Sequence, residues 1–203
     1  MASAMRIGVD LTACWRPRVG MVTASLELTR ALLEQGGDEF VLLASRERPA
    51  GLPAGGSEAI LSPYRHEVLN KLAWMAPVEA GAELDAILYP YWPSPPLRRR
   101  GAPPAAIFVH DLAFKVRPRE VPWQQRVYLG LLLPRALRSA AAVLVPSLAT
   151  RADLLDCYRQ PGLAERVHVV PEGPTDLGAT PARLPPGLEP GFILSVGTLE
   201  TRK

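Results

Sequence analysis

Several short segments of this chain hold residues whose types could serve a reaction. His110-Asp111 sets an acid/base side chain beside a carboxylate. An imidazole can bond a substrate hydroxyl or move a proton near neutral pH, and the aspartate can orient a neighbour. A histidine closing a backbone hydrogen bond, with Asp111 opening a turn, accounts for the same pair. Ser147-Leu-Ala-Thr150 opens a helical pattern after an apolar run. Its serine and the free N–H groups of that turn could receive an anion, or Ser147 could simply cap the helix. Glu172 offers a carboxylate after another apolar run, in a position equally open to a solvated loop residue. Gly20 precedes a helix and allows a ligand to approach the backbone closely, which an ordinary loop glycine would also do. Gly197 and Lys203, with Arg202 between them, could meet a diphosphate. Arg98-Arg-Arg100, near Tyr91 and Trp92, could touch anionic lipid headgroups or a phosphorylated acceptor, or form a solvated loop. His66 and His168 read as structural.

Other chemistries lack their residues. The sequence has no G-x-G-x-x-G after its first apolar run, no Walker loop and no H-E-x-x-H. Two cysteines, Cys14 and Cys157, make neither a zinc site nor a disulfide framework. They read as free thiols of a reducing, cytoplasmic compartment. The 203 residues carry 23 basic and 20 acidic side chains, a net charge of +3. That balance argues against a nucleic-acid partner. No uncharged run approaches the length of a membrane span, and the leader before Arg6 reads as too short for a secretory signal.

The elements that must position these residues follow from the apolar pattern. Runs at 6–11, 40–44, 59–62, 85–89, 105–110, 142–145, 166–170 and 192–196 suit strands buried on both faces. Val22, Ser25, Leu26, Thr29 and Leu33 share one helical face. A second helix is expected over 66–75, limited by Pro77. A third is expected from Pro122 to about Ala140, kinked at Pro134, and a fourth runs from Ser147 to about Tyr158. Strands alternating with helices predict a Rossmann-like three-layer α/β/α fold with a mostly parallel sheet. Ligands then belong at the carboxyl ends of the strands, near a topological switch point. That rule marks Leu11–Gly20, Tyr89–Pro96, His110–Phe114, Pro146–Thr150 and Pro171–Thr175. Residues 171–190 read as a linker, so one domain is expected over 1–190, with 191–203 beginning a second.

Met5-Arg-Ile-Gly-Val-Asp10 with the Gly20 loop resembles the start of the group 1, or family 4, glycosyltransferases of GT-B fold. Val109-His-Asp-Leu112, Leu133–Ser147 with its following Thr150, Leu154 and Tyr158, Val167–Gly173 and Phe192–Lys203 resemble further pieces of the same family, in the same order. The resemblance implies two Rossmann-like domains around a cleft, the first binding the acceptor and the second a nucleoside diphosphate sugar. It implies retaining sugar transfer to a hydroxyl, without a bound metal or other cofactor. This chain would be the acceptor-side domain plus the first strand of the donor domain, inactive alone. By position, His110 would face the reacting sugar. Gly20, Asp111, Ser147, Thr150 and Glu172 would line the substrate cleft, and Gly197 and Lys203 would accompany the donor diphosphate. Val22 stands where relatives often carry a second glycine, and Thr198 where many carry an arginine. A cytoplasmic protein is expected, and Arg98–Arg100 with Tyr91 and Trp92 would give it peripheral contact with the inner face of an anionic membrane. Two rivals stay open: another GT-B enzyme such as a sugar-nucleotide epimerase, and a non-catalytic flavodoxin-like binding module.

Overall fold

A computed structural model of the chain describes residues 3–15, 20–53, 55, 57–91, 93–96, 98–173, 187, 191 and 193. Seven strands form one sheet: β1 (Arg6–Leu11), β2 (Glu39–Ser45), β3 (Ser57–Ser62), β4 (Ala86–Tyr89), β5 (Ala105–Phe108), β6 (Ala142–Val145) and β7 (Val167–Val169). Their order is β3-β2-β1-β4-β5-β6-β7, and every pairing is parallel. Val9 on β1, for example, lies opposite Leu42 of β2 and Leu88 of β4. The apolar runs that predicted the strands are the ones both faces bury. The predicted strand at 192–196 falls almost wholly outside the described residues. The chain divides into two compact units, Met1–Glu172 and Gly173–Lys203, and the whole sheet belongs to the first.

Side chains alternate across the sheet, so neighbouring strand residues enter different cores. One core joins Val9, Leu11, Phe40, Leu42 and Leu88 to Val22 and Leu26 of helix α1 (Gly20–Gln35). In α1, Ser25 and Thr29 are buried too. Their hydroxyls donate to the carbonyls of Met21 and Ser25, at 2.8 and 2.7 Å, which satisfies them inside the helix. The other core joins Val41, Leu43, Ile87, Ile107 and Val143 to Leu133 and Leu137 of α5 (Trp123–Ser139) and Leu154 of α6 (Leu148–Cys157). Helices thus cover both faces, as the three-layer expectation requires.

Local departures have physical reasons. Pro77 does not end the second helix. That helix runs through α2 (Glu67–Leu69), a π turn (Asn70–Trp74) and α3 (Met75–Gly81). The N–H of Met75 donates to the carbonyl of Asn70, five residues back, so the widened turn stacks Asn70 over Met75. Both are fully buried, and Lys71 beside them is 2% exposed. The wide turn also precedes Pro77, whose ring would otherwise press on the carbonyl of Ala73. In α5 the helix continues through Pro134, whose own carbonyl accepts from Gln160 Nε2 at 3.0 Å. β5 stops at Phe108, so His110 stands just past the strand and not within it. Two short helices, α4 (Ala113–Val116) and α7 (Leu163–Arg166), and a 3-10 turn at Pro118–Glu120 have no periodicity long enough to foresee.

Candidate active site

β1 and β4 are neighbours, yet the chain leaves them toward opposite sides of the sheet. That is the switch point at which α/β sheets open a crevice, at the carboxyl ends of the strands. His110 stands on this edge, after β5. Its ring stacks on Phe108 with centroids 4.6 Å apart. Nε2 lies 2.8 Å from the Pro90 carbonyl, after β4, and Nδ1 lies 2.8 Å from Glu172 Oε1, after β7. A carbonyl only accepts, so Nε2 donates to Pro90. Nδ1 faces the Glu172 carboxylate. The imidazole is therefore fixed in orientation from two sides. Its side chain is 11% exposed, and that of Glu172 is 44% exposed.

Three other predicted residues join this arrangement through the backbone. Ser147 Oγ accepts from the N–H of Thr150 at 3.1 Å, the ordinary N-cap of α6. Thr150 Oγ1 reaches the carbonyl of His110 at 3.5 Å, which ties the start of α6 to the histidine. Asp111 Oδ1 accepts from the N–H of Ala113 at 2.9 Å, so it opens the turn into α4. Gly20 is the first residue of α1, also on the carboxyl edge. A side chain there would meet nothing within 4 Å among the described residues. Gly197, Lys203 and Trp92 lie outside the described residues.

Arg98 corrects the reading of its basic run as a free surface. Its side chain turns inward, with Nε 2.9 Å from Glu79 Oε2 and a terminal nitrogen 2.5 Å from the Pro103 carbonyl. Only Arg99 and Arg100 of that run are exposed.

Beneath the crevice lies a buried polar cluster that the sequence did not announce. Asp10, near the end of β1, forms an ion pair with Lys71, and both side chains are 2% exposed. The other oxygen of Asp10 accepts from Thr12 N and Oγ1 at 3.0 and 2.7 Å. Lys71 Nζ also lies 4.7 Å from the centre of the Tyr89 ring, at the end of β4. The Tyr89 hydroxyl donates to Glu79, the same carboxylate that holds Arg98. Burial, then the charge of Glu79, pushes the Tyr89 phenol well above its ordinary value. Asn70 completes the cluster: its Nδ2 donates to Ser45 Oγ at 2.9 Å and its Oδ1 accepts from Ser62. The ends of β1, β2, β3 and β4 are thereby fastened to one helix by hydrogen bonds. The signal available in the sequence was polar residues closing apolar strands, namely Asp10, Ser45 and Ser62.

Cys14 lies against this cluster, and burial, then Asp10, raises its thiol from 9.0 to about 12. An acid whose folded value exceeds its unfolded one stabilises the fold at neutral pH. That contribution falls away as pH climbs from about 9 to about 12. In the native protein, 5,5′-dithiobis(2-nitrobenzoate) is expected to titrate exposed Cys157 promptly and to leave buried Cys14 unmodified until urea is added. Prompt reaction of both thiols would contradict the packing around Cys14.

Comparisons with known proteins agree with this geometry. The family model for Glycosyltransferase Family 4 matches residues 19–174. No curated protein sequence matches the chain. Among solved structures, that of Phytolacca americana UGT2 complexed with UDP-2fluoro-glucose and pterostilbene superposes with a TM-score of 0.50 at 12% identity, over 87% of this chain and 56% of that one. The apo form of the same protein gives 0.50 at 13% identity, over 84% and 52%. This likeness is one of fold. The chain spans about half the length of the solved structures it matches.

Proposed function

Since the chain belongs to Glycosyltransferase Family 4, we propose that it is the acceptor-side domain of a retaining glycosyltransferase that moves a hexosyl group from a nucleoside diphosphate sugar to a hydroxyl. The supporting observation is His110, clamped between the Pro90 carbonyl and Glu172 on the carboxyl edge of the sheet, beside the switch-point crevice. Both ring nitrogens are engaged, so a substrate hydroxyl gains the ring by displacing one partner. Glu172 is the exposed one and the one that yields. Nδ1 then bonds a sugar hydroxyl while Pro90 keeps the ring aligned, an arrangement set before substrate arrives. Thr150, Ser147 and Asp111 act behind it by fixing the backbone around His110, and Gly20 leaves the start of α1 open to the ligand.

In this reading the domain over 1–190 faces the acceptor, and the donor diphosphate is held mainly by a second domain beginning near 191. Gly197 and Lys203 contribute to that second site. The negative charge growing on the leaving diphosphate would be met there by fixed cations and helix N-termini. The reaction takes place in the cytoplasm.

Two measurements test this. In a protein carrying both domains, nuclear magnetic resonance of the product should show the anomeric configuration of the donor retained. An inverted product would overturn the retaining assignment. Calorimetry of residues 1–203 against a panel of nucleotide sugars should show no appreciable heat of binding. Micromolar affinity for any of them would place the donor site in this domain and overturn the division of labour.

A further inference from the structure

The carbonyl of Pro90 accepts from His110 Nε2 at 2.8 Å, so the direction of that carbonyl decides how the imidazole can lie. A proline fixes its own φ. It also confines the residue before it to extended backbone. Here that residue is Tyr89, the last of β4. Few soft torsions therefore separate the Tyr89 ring from the Pro90 carbonyl, and whatever holds the ring aims the carbonyl. Both residues are buried. The ring is held at its face and at its tip. Lys71 Nζ lies 4.7 Å from the ring centre, and the hydroxyl donates to Glu79 of α3. Glu79 is 2% exposed, and its other oxygen accepts from Arg98 Nε at 2.9 Å. The same guanidinium reaches the Pro103 carbonyl at 2.5 Å. Arg98 thus ties the connection between β4 and β5 to the carboxylate that grips Tyr89.

We infer that Arg98, Glu79 and Tyr89 form a positioning relay that sets the Pro90 carbonyl and, through it, the ring of His110. They act at one remove, since the hydrogen bonds of the histidine itself go to Pro90 and Glu172. Stability alone does not call for such an arrangement. Apolar side chains of the same volume would hold these elements together as well as a buried carboxylate does, or better. What the carboxylate adds is direction. Set between a phenol and a guanidinium, it is satisfied in one geometry, and a misplaced partner leaves a buried charge unmet. The relay also serves the side of His110 that stays in place. When Glu172 yields to a substrate hydroxyl, the Pro90 carbonyl is what keeps the ring aligned. The effect of the relay on transfer rests on the role proposed above for His110. Its effect on the ring does not.

Nuclear magnetic resonance of the chain with isotope-labelled histidine reads the ring directly, and His110→Ala identifies its signal. The Nε2 proton of His110 should appear downfield and protected from exchange by the Pro90 carbonyl. Tyr89→Phe removes only the hydroxyl. It should move this signal and speed its exchange about tenfold. Arg98→Met should do the same, and Arg98→Lys, which keeps a cation for Glu79, should lie between that variant and wild type. The signals of His66 and His168 should stay where they are. Leu137→Ala opens a cavity near the far end of α5. It should lower stability and leave the His110 signal unmoved. In a protein carrying both domains, Tyr89→Phe should lower kcat about ten- to a hundredfold and leave the KM for the sugar donor nearly unchanged. A His110 signal that stays put in both Tyr89→Phe and Arg98→Met would overturn the inference. So would an equal displacement in Leu137→Ala, which would make the effect one of general loosening. A displaced signal with wild-type turnover would uphold the relay and overturn the part given to His110 in transfer.

Discussion

Lys71→Met is expected to lower the unfolding free energy of the first unit by about 3–5 kcal/mol, among the largest effects any single substitution here should have. The reason is what the change leaves behind. Asp10 stays 2% exposed, bonded to Thr12 but without its cation. An ionised carboxylate in that position lacks water and partner alike. A domain of this size is stable by only about 5–15 kcal/mol, so the variant should unfold at markedly lower urea. Asp10→Asn combined with Lys71→Met removes both charges and keeps an oxygen for Thr12. It should recover much of the loss, leaving the double variant more stable than Lys71→Met alone. Urea unfolding of wild type, both single variants and the double variant closes the cycle. Strict additivity would show that the pair is not coupled in the folded state.

His110→Ala, made in a protein carrying both domains, should lower turnover about 100- to 1000-fold, the scale of losing one fixed donor to a developing charge. Stability should fall far less. The ring contributes two hydrogen bonds and a stack on Phe108, worth about 1–3 kcal/mol together. Glu172→Gln offers the contrast. It keeps a partner at Nδ1 but removes the charge, so the ring should stay placed and turnover should change by less than in His110→Ala. Transfer rates and thermal melting of the three proteins separate the roles. Equal losses of activity and stability in His110→Ala would make this histidine a structural residue.

The fold was legible because a parallel sheet buries both faces of each strand. The apolar runs announced all seven strands within one or two residues, and the spacing of Val22, Ser25, Leu26 and Thr29 announced α1. His110, Ser147, Thr150 and Glu172 were legible for a related reason: each follows a strand, and in a parallel sheet all strand ends share one edge. The Asp10–Lys71 pair was not. Its members stand 61 residues apart, and Lys71 turns inward through a π turn that a 3.6-residue period does not describe. Arg98 misled because a run of three arginines suggests solvent, whereas its partner Glu79 belongs to a different element and is itself fully buried. Local pattern registers burial by neighbours in sequence. It does not register a charge buried because another distant charge meets it.

The π turn bears on how this chain can vary in length. Asn70–Trp74 uses five residues to join two buried faces that an α-turn would join with four. A sequence one residue shorter at Leu72 or Ala73 would set Asn70 four positions before the Met75 equivalent, and ordinary α winding would stack them as the wide turn does now. Shortening would also return the proline ring to the carbonyl four residues before it. The extra residue and Pro77 are therefore a matched pair. Among sequences of this architecture, a one-residue gap in this helix should travel with the loss of the proline, and the proline with the insertion.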